Sequence, residues 1–342
     1  KCVENLGRLD ELKKQFDDPL SHFKKTAEQR TQEKRASRTA SLNIDLAASM
    51  DTDEDNLKNV GYTVLKELYK QLELDKFWKG IQKKTSIQYD LEAVFRLLVF
   101  SRILYPASKM DTFHNKKVYF ENFDGFALND VYKALDLFDQ YDEQLQAWIY
   151  KHSSAICERD MSVSYFDCTN YYFDIGRSDM DTFGDDGGPV DKKGNPAEIK
   201  YRKRGPEKNH RPDPIVEMGL LMDKNGIPLA FDLFPGNESE KLHMRPIINR
   251  VKNQFDSGRV IFVADRGLNT SDNIYFLNGD NKADYNPRDG YVYGQSVRGA
   301  DAEFKEWVLK DGYKTEKFTD EDGRELTFIH KSRIHPKTIQ VN

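Results

Sequence analysis

Apolar positions fall into two regimes along the chain. Between Asp51 and about Cys157 they recur every three or four residues, as in "VGYTVLKELYKQLEL", "LEAVFRLLVFSRIL" and "VYKALDLFDQYDEQLQAWIYKHSSAI". That spacing predicts amphipathic helices and an all-α unit whose Phe and Tyr fill a core. "LEAVFRLLVFSRILYP" is interrupted by Arg96 and Arg102 and stopped by Pro106, so it reads as a buried helix and is too short and charged to span a bilayer. Residues 1–50 are highly charged, helical in pieces, and end in a Ser/Thr-rich joint; they read as an arm and linker.

From Met161 the pattern becomes β-branched and aromatic. "SVSYFDCTNYYFDI" predicts a strand carrying Asp167. "DPIVEMGLLM" and "IPLAFDLFP" predict two more, joined by a hairpin turn at Asn225 and Gly226. "GNESEKLHMRPIINRVKNQF" predicts a helix starting with a capping-box signal at Asn237 and Glu240, with Pro246 as a kink or first-turn residue. Val260–Ala264 has no polar alternation and predicts a parallel strand covered on both faces, ending on Asp265. "TSDNIYFLNG" begins another helix.

Three strands joined largely as hairpins, then a helix, then a parallel strand, is the order of a ribonuclease-H-like α/β domain with a mixed sheet and flanking helices. There the first and fourth strands are neighbours, so Asp167 and Asp265, 98 positions apart, would face one crevice. Alone, Asp265 reads as a turn cap before it reads as a catalytic group, and the context of Asp167 reverses that order. Two close carboxylates repel unless a cation lies between them, and Mg²⁺ suits them because it prefers hard oxygen ligands. Paired ions of this kind serve phosphodiester chemistry.

The net charge of −5 argues against a protein that coats nucleic acid, but its distribution is uneven. Between Val190 and Arg211 eight basic residues face three acids. Lys192, Lys193, Lys200, Arg202, Lys203 and Arg204 are therefore candidate DNA-backbone contacts, with Lys208 and Arg211 in the same run. Three cysteines without paired spacing fit a reducing cytoplasm. Asp174, Asp179, Asp181, Asp185 and Asp186 read as a surface loop, Glu217 and Asp232 as solvent-facing strand positions, and His210 and His243 as polar surface residues.

"SYFDCTNYYFD", "GLLMDKNGIPLAFDLFPGNESE", "VIFVADRGLNTSDNI" and "DGYVYGQSVRGADAEFKEWVL", in that order, resemble the DDE transposases of bacterial insertion sequences, specifically the insertion-sequence-four-like group. The resemblance runs from about Ser164 to Leu309, and "RLLVFSRILYPASKMDTF" resembles the family's N-terminal part. It implies a ribonuclease-H-like catalytic core in which two Asp and one Glu hold two Mg²⁺ (or Mn²⁺) ions. It also implies cleavage and strand transfer at insertion-sequence ends, with terminal repeats and target DNA as partners. A homo-oligomer on DNA and a cytoplasmic, nucleoid-associated bacterial location follow from the same family.

Asp167 matches the first acid and Asp265 the second. The implied division is an arm over 1–50, an all-α domain over 51–157 that would bind DNA ends, the first part of the catalytic core over 158–281, and a β-rich insertion over 282–342. The family's third acid, on a helix bearing Tyr, Arg, Glu and Lys at fixed spacing, has no match after Asp265. The expectation is a chain truncated at both ends that stops within the insertion. The alternatives are a non-catalytic DNA-binding remnant and a ribonuclease-H-like nuclease or resolvase.

Overall fold

A computed structural model describes residues 9–16, 18–36, 57–121, 123–206, 212–255, 259–278, 289–320 and 323–334. The chain divides into two compact units, Lys1–Ile156 and Cys157–Asn342.

The first unit is helical: α1 (Leu9–Leu12), α2 (Pro19–Ala36), α3 (Tyr62–Gln71), α4 (Leu74–Gln82), α5 (Leu91–Leu104), α6 (Lys109–His114), α7 (Leu128–Gln140) and α8 (Asp142–Ser153). Helix α5 starts where Asp90 accepts a hydrogen bond from the Ala93 N–H at 3.0 Å, closing one of the open donors of the first turn. Its Leu91, Val94, Leu97 and Phe100 are buried, as the helical spacing predicts. Trp78 is the centre of the aromatic packing, 4.7 Å from the Phe95 ring and 4.8 Å from Phe138.

"VGYTVLKELYKQLEL" forms α3 as its spacing predicts, and the chain then breaks at Glu73, which is left-handed with φ 53°. That conformation costs a non-glycine residue about 1–2 kcal/mol. The break turns Leu74, Phe77, Trp78 and Ile81 of α4 into the core. It also leaves the Leu72 carbonyl to accept from Trp148 Nε1 at 2.9 Å, tying α8 to the corner.

The second unit is a mixed α/β structure. Its strands are β1 (Val163–Tyr172), β2 (Thr182–Phe183), β3 (Pro189–Val190), β4 (Ile215–Met222), β5 (Pro228–Pro235), β6 (Ile261–Ala264), β7 (Gly290–Tyr293), β8 (Lys314–Thr319) and β9 (Glu325–His330). Its helices are α9 (Glu240–Gln254), α10 (Ser271–Asn278) and α11 (Ala302–Leu309). Five strands form one sheet in the order β5-β4-β1-β6-β7. β4 runs antiparallel to β1 and β5, whereas β6 is parallel to β1 and β7 to β6. This mixed sheet with flanking helices is compatible with a ribonuclease-H-like fold. "GYVYGQSV", assigned from sequence to the β-rich insertion, contributes β7 to the main sheet instead, because Gly290–Tyr293 continues the parallel ladder beyond β6. "GYKTEKFTDEDGRELTFIHKSRI", which reads as a hairpin turning at Asp322 and Gly323, forms β8 and β9, a separate two-stranded sheet. The expected turn residue Asp322 lies outside the described residues, as do Lys208, His210, Arg211 and the joint before Asp51.

Helix α9 covers one face of the sheet. Phe166, Cys168 and Leu221 point into that contact, and Gly219 permits it: a Cβ there would stand 3.0 Å from the Phe166 ring and 3.1 Å from Ile247 of α9. The capping-box reading at Asn237 is corrected. The N-cap is Ser239, without a side-chain bond, because the turn after Pro235 consumes Asn237 and Glu238. Pro246 lies inside the helix, beyond its first turn.

The sheet's opposite face carries Tyr165, Leu233, Ile261 and Val292, all exposed. The expectation that Val260–Ala264 is covered on both faces is thus corrected: Phe262 and Ala264 are buried, but Ile261 is exposed and Val263 half-buried. The Asn225–Gly226 turn forms as predicted, with Gly226 at φ 75°. Asp223 Oδ1 accepts from the Asn225 and Ile227 N–H groups at 3.0 and 2.9 Å, while Arg159 Nε donates to Oδ2 at 2.7 Å in a buried pair.

Candidate functional site

The register of the two central parallel strands defines the site. Phe166 lies opposite Ala264, and one residue further each chain carries an aspartate, Asp167 on β1 and Asp265 after β6. Neighbouring strands are about 4.8 Å apart, so the two carboxylates issue from adjacent backbone positions at one edge. Both are exposed. Asp167 remains in the sheet, opposite Leu220 of β4. Asp265 is extended and caps the short turn Arg266–Leu268, accepting from the Arg266 N–H at 2.6 Å. Cap and edge carboxylate are therefore one residue, and the two sequence readings of Asp265 are compatible.

Behind Asp265, Asn269 Nδ2 donates to the Gly294 carbonyl at 3.2 Å and to Gln295 Oε1 at 2.8 Å, holding the loops after β6 and β7 together. Hard oxygen donors on one edge suit Mg²⁺, yet they are only two; among the described residues no three His, Cys, Asp or Glu side chains group to hold a metal.

The basic strap joins the sheet by a backbone route. Lys203 and Ile215 exchange both backbone hydrogen bonds, at 3.1 and 2.8 Å, and the Gly236 N–H donates to the Tyr201 carbonyl at 3.1 Å. Gly205 and Gly236 are required at this crossing, where a Cβ on Gly205 would lie 1.6 Å from the Gly236 carbonyl oxygen. Ile215 pairs with Tyr172 and Leu220 with Asp167. The strap therefore crosses five residues, about 17 Å, further along β1 than Asp167.

Its side chains turn toward the acidic stretch. Arg202 makes a two-pronged bond to Asp179 at 3.0 and 2.8 Å, and Lys203 Nζ reaches Asp181 at 2.5 Å. Lys200 Nζ donates to the Met180 carbonyl and Arg204 Nη2 to that of Gly176. Arg202 holds the Asp179 carboxyl below its usual pKa, and Lys203, followed by the Lys200 N–H, does so for Asp181. The surface-loop reading of these acids missed a partner; the available signal was an acidic run about twenty residues before a basic one. Lys192 and Lys193 lie apart, exposed in a turn where Asp191 accepts from the Lys193 and Asn195 N–H groups.

The expectations for Glu217, Asp232 and His243 are corrected. Glu217 is 2% exposed, because it shares the α9-covered face, and it accepts from Asn170 Nδ2 at 3.2 Å. Asp232 is half-buried on that face, with its Oδ1 accepting from the Leu233 N–H. His243 is packed rather than displayed: its ring stacks on Phe234 at 3.7 Å and Nε2 lies 2.9 Å from Glu238 Oε2. Sequence spacing sees none of these, since all depend on which face the helix covers. No helix among the described residues is long and apolar enough to cross a membrane.

No protein-family model matches the chain, and no curated protein does. Among solved structures, similarity is found to the Mos1 transposase paired-end complex with left transposon end, at 13% identity over 57% of this chain and 58% of that one, with a TM-score of 0.20. The Mos1 strand transfer complex has 13% identity over 53% and 52%, and a pre-cleavage Mos1 transpososome 12% over 53% of each, both with TM-scores of 0.17. The chain spans little more than half of those chains, and overlap this low carries no argument about activity.

Proposed function

We propose that the chain is part of a DDE transposase acting in DNA transposition, with metal-dependent cleavage and strand transfer at insertion-sequence ends. One observation carries the reading: Asp167 and Asp265, which the sequence resemblance picks out, issue from adjacent positions at one edge of two parallel strands. Asp167 and Asp265 would hold Mg²⁺ or Mn²⁺. The bound metal would supply an activated water or hydroxyl oxygen and stabilise the leaving oxygen of a phosphodiester. The protein's own part is to fix the carboxylates. The strand ladder positions Asp167, and the Arg266 N–H orients one oxygen of Asp265 without help from a ligand. The strap at Lys200, Arg202, Lys203 and Arg204, with Lys192 and Lys193, would run along the DNA backbone, its phosphates competing with Asp179 and Asp181.

A second reading, DNA occupancy without chemistry, is favoured by the two-member acid set among the described residues. A supercoiled-plasmid nicking assay with and without Mg²⁺ separates them. Under the first reading nicking requires the metal and disappears in both Asp167→Ala and Asp265→Ala. Nicking that survives either change overturns the assignment. DNA binding with no nicking in the parent chain selects the second reading.

A further inference from the structure

Lys200, Arg202, Lys203 and Arg204 of the basic strap are all engaged by one short stretch of chain. Arg202 donates to both oxygens of Asp179, and Lys203 Nζ lies 2.5 Å from Asp181 Oδ2 and 2.8 Å from the Asp179 carbonyl. Lys200 Nζ donates to the Met180 carbonyl at 2.7 Å and Arg204 Nη2 to that of Gly176 at 2.9 Å. Every one of these acceptors lies within residues 176–181. Lys203 is withdrawn furthest, its side chain 13% exposed and that of Asp181 9%. A phosphate arriving from solvent cannot take up that ammonium while the segment stays in place.

What holds the segment is polar. Met180, between the two acids, is 77% exposed, Phe183 beyond them is 59% exposed, and Ile199 on the strap is 41% exposed, so apolar burial does not anchor the two stretches to each other. Three bonds use the strap's neighbouring backbone: the Asp179 N–H donates to the Arg202 carbonyl at 2.8 Å, the Lys200 N–H to Asp181 Oδ1 at 3.0 Å, and the Arg204 N–H to Ser178 Oγ at 3.1 Å. The others come from the charged side chains themselves and are lost if another anion takes those cations. The two-pronged grip of Arg202 on Asp179 is the geometry an arginine also presents to a phosphate, so one anion can replace the other.

We propose that residues 176–181 are an autoinhibitory stand-in for a nucleic-acid backbone: they occupy Lys200, Arg202, Lys203 and Arg204 in the absence of DNA and are expelled when DNA phosphates take those cations. The proposal rests on the reading of the strap as a DNA contact and adds a regulation to it. Binding must open the segment, so removing an acid that closes it strengthens DNA binding.

The test uses the full chain and a fluorescein-labelled DNA duplex, with binding followed by anisotropy at fixed ionic strength. Asp179→Asn should tighten binding about fivefold, the upper end for an ion pair of this exposure. Asp185→Asn is the control, because Asp185 is exposed in the same loop and pairs with no strap cation among the described residues. It removes the same charge and should change binding by less than about twofold at physiological salt, where distant exposed charges are screened. In the unaltered chain, adding duplex should accelerate hydrogen exchange at the Asp179 amide, whose bond to the Arg202 carbonyl is lost on release, and leave the amides of β4 unchanged. Arg202→Gln with Lys203→Gln tests the underlying contact. If that double change does not weaken binding, the strap is not a DNA contact and the proposal falls with that reading. If it does weaken binding, but Asp179→Asn tightens binding no more than Asp185→Asn or the duplex fails to accelerate exchange at Asp179, the strap contact stands and the autoinhibition is overturned.

Discussion

The two units solve the problem of burial differently. In the helical unit aromatic side chains from α4, α5 and α7 surround Trp78, with Phe77 and Phe138 edge to face and Phe95 tilted. In the sheet unit burial alternates along a single strand: Phe166 is 1% exposed under α9, and its neighbour Tyr165 is 38% exposed on the other face. A helix bundle closes its core around every member. A sheet closes one face at a time, and the edge where its strands end is left to loops. The candidate chemistry is at exposed positions beside the end of β6 and not in either core, so stability and activity should separate under mutation.

The largest effects should fall inside the packed regions. Trp78→Ala and Phe166→Ala should each cost about 3–5 kcal/mol in chemical denaturation, because both sites are enclosed on all sides. Asp223→Ala should be nearly as severe, about 3–5 kcal/mol, since it strands the buried Arg159 guanidinium as well as uncapping the turn. If Asp223→Ala behaves like a surface change, the pair is not holding the β4–β5 turn. On the open face, Tyr165→Ala should cost about 1 kcal/mol or less by the same measurement. A loss comparable with Phe166→Ala would mean that this face is covered in solution, and the contrast between the units would collapse.

Much of this contrast was legible from residue spacing. The Leu91, Val94 and Leu97 periodicity yields α5, and the β4–β5 hairpin is written in Asn225 and Gly226. What spacing does not encode is which partner wins. Glu73 adopts a left-handed conformation because tertiary burial of α4 outweighs a local preference. Glu217 alternates correctly for a strand, but the side that α9 chooses makes it an interior group. The pairing of Asp179 with Arg202 spans 23 positions and is invisible to any local window. The neighbouring placement of Asp167 and Asp265 lies between these cases. Element order implied it, and only the register makes it a specific pair of positions.

The smaller predictions sharpen the edge. Removing Asp265 should change stability by well under about 1 kcal/mol, the scale of an exposed cap, while abolishing any Mg²⁺-dependent nicking. Equal loss of both would make it a structural residue alone. The strap offers a pH test whose sign is fixed by the pairing. Asp179 and Asp181 have carboxyls held below their usual pKa, so their contribution is complete above the unfolded value, near pH 4, and is lost as pH falls through the lowered values. Amide hydrogen exchange in residues 179–203 should accelerate below about pH 4 relative to that of β4. In Asp179→Asn that acid-induced loosening should already be present in part at neutral pH.

Gly219 has a mechanical meaning beyond packing. A Cβ on it would stand only 3.0 Å from the Phe166 ring and 3.1 Å from Ile247, so its bare backbone sets the thickness of the joint between sheet and helix as a shim sets a bearing. One added methyl group is enough to lift α9 by a few tenths of an ångström, and α9 carries His243 stacked on the end of β5. A dimension fixed deep under the helix is thereby passed along a rigid rod to the rim of the sheet.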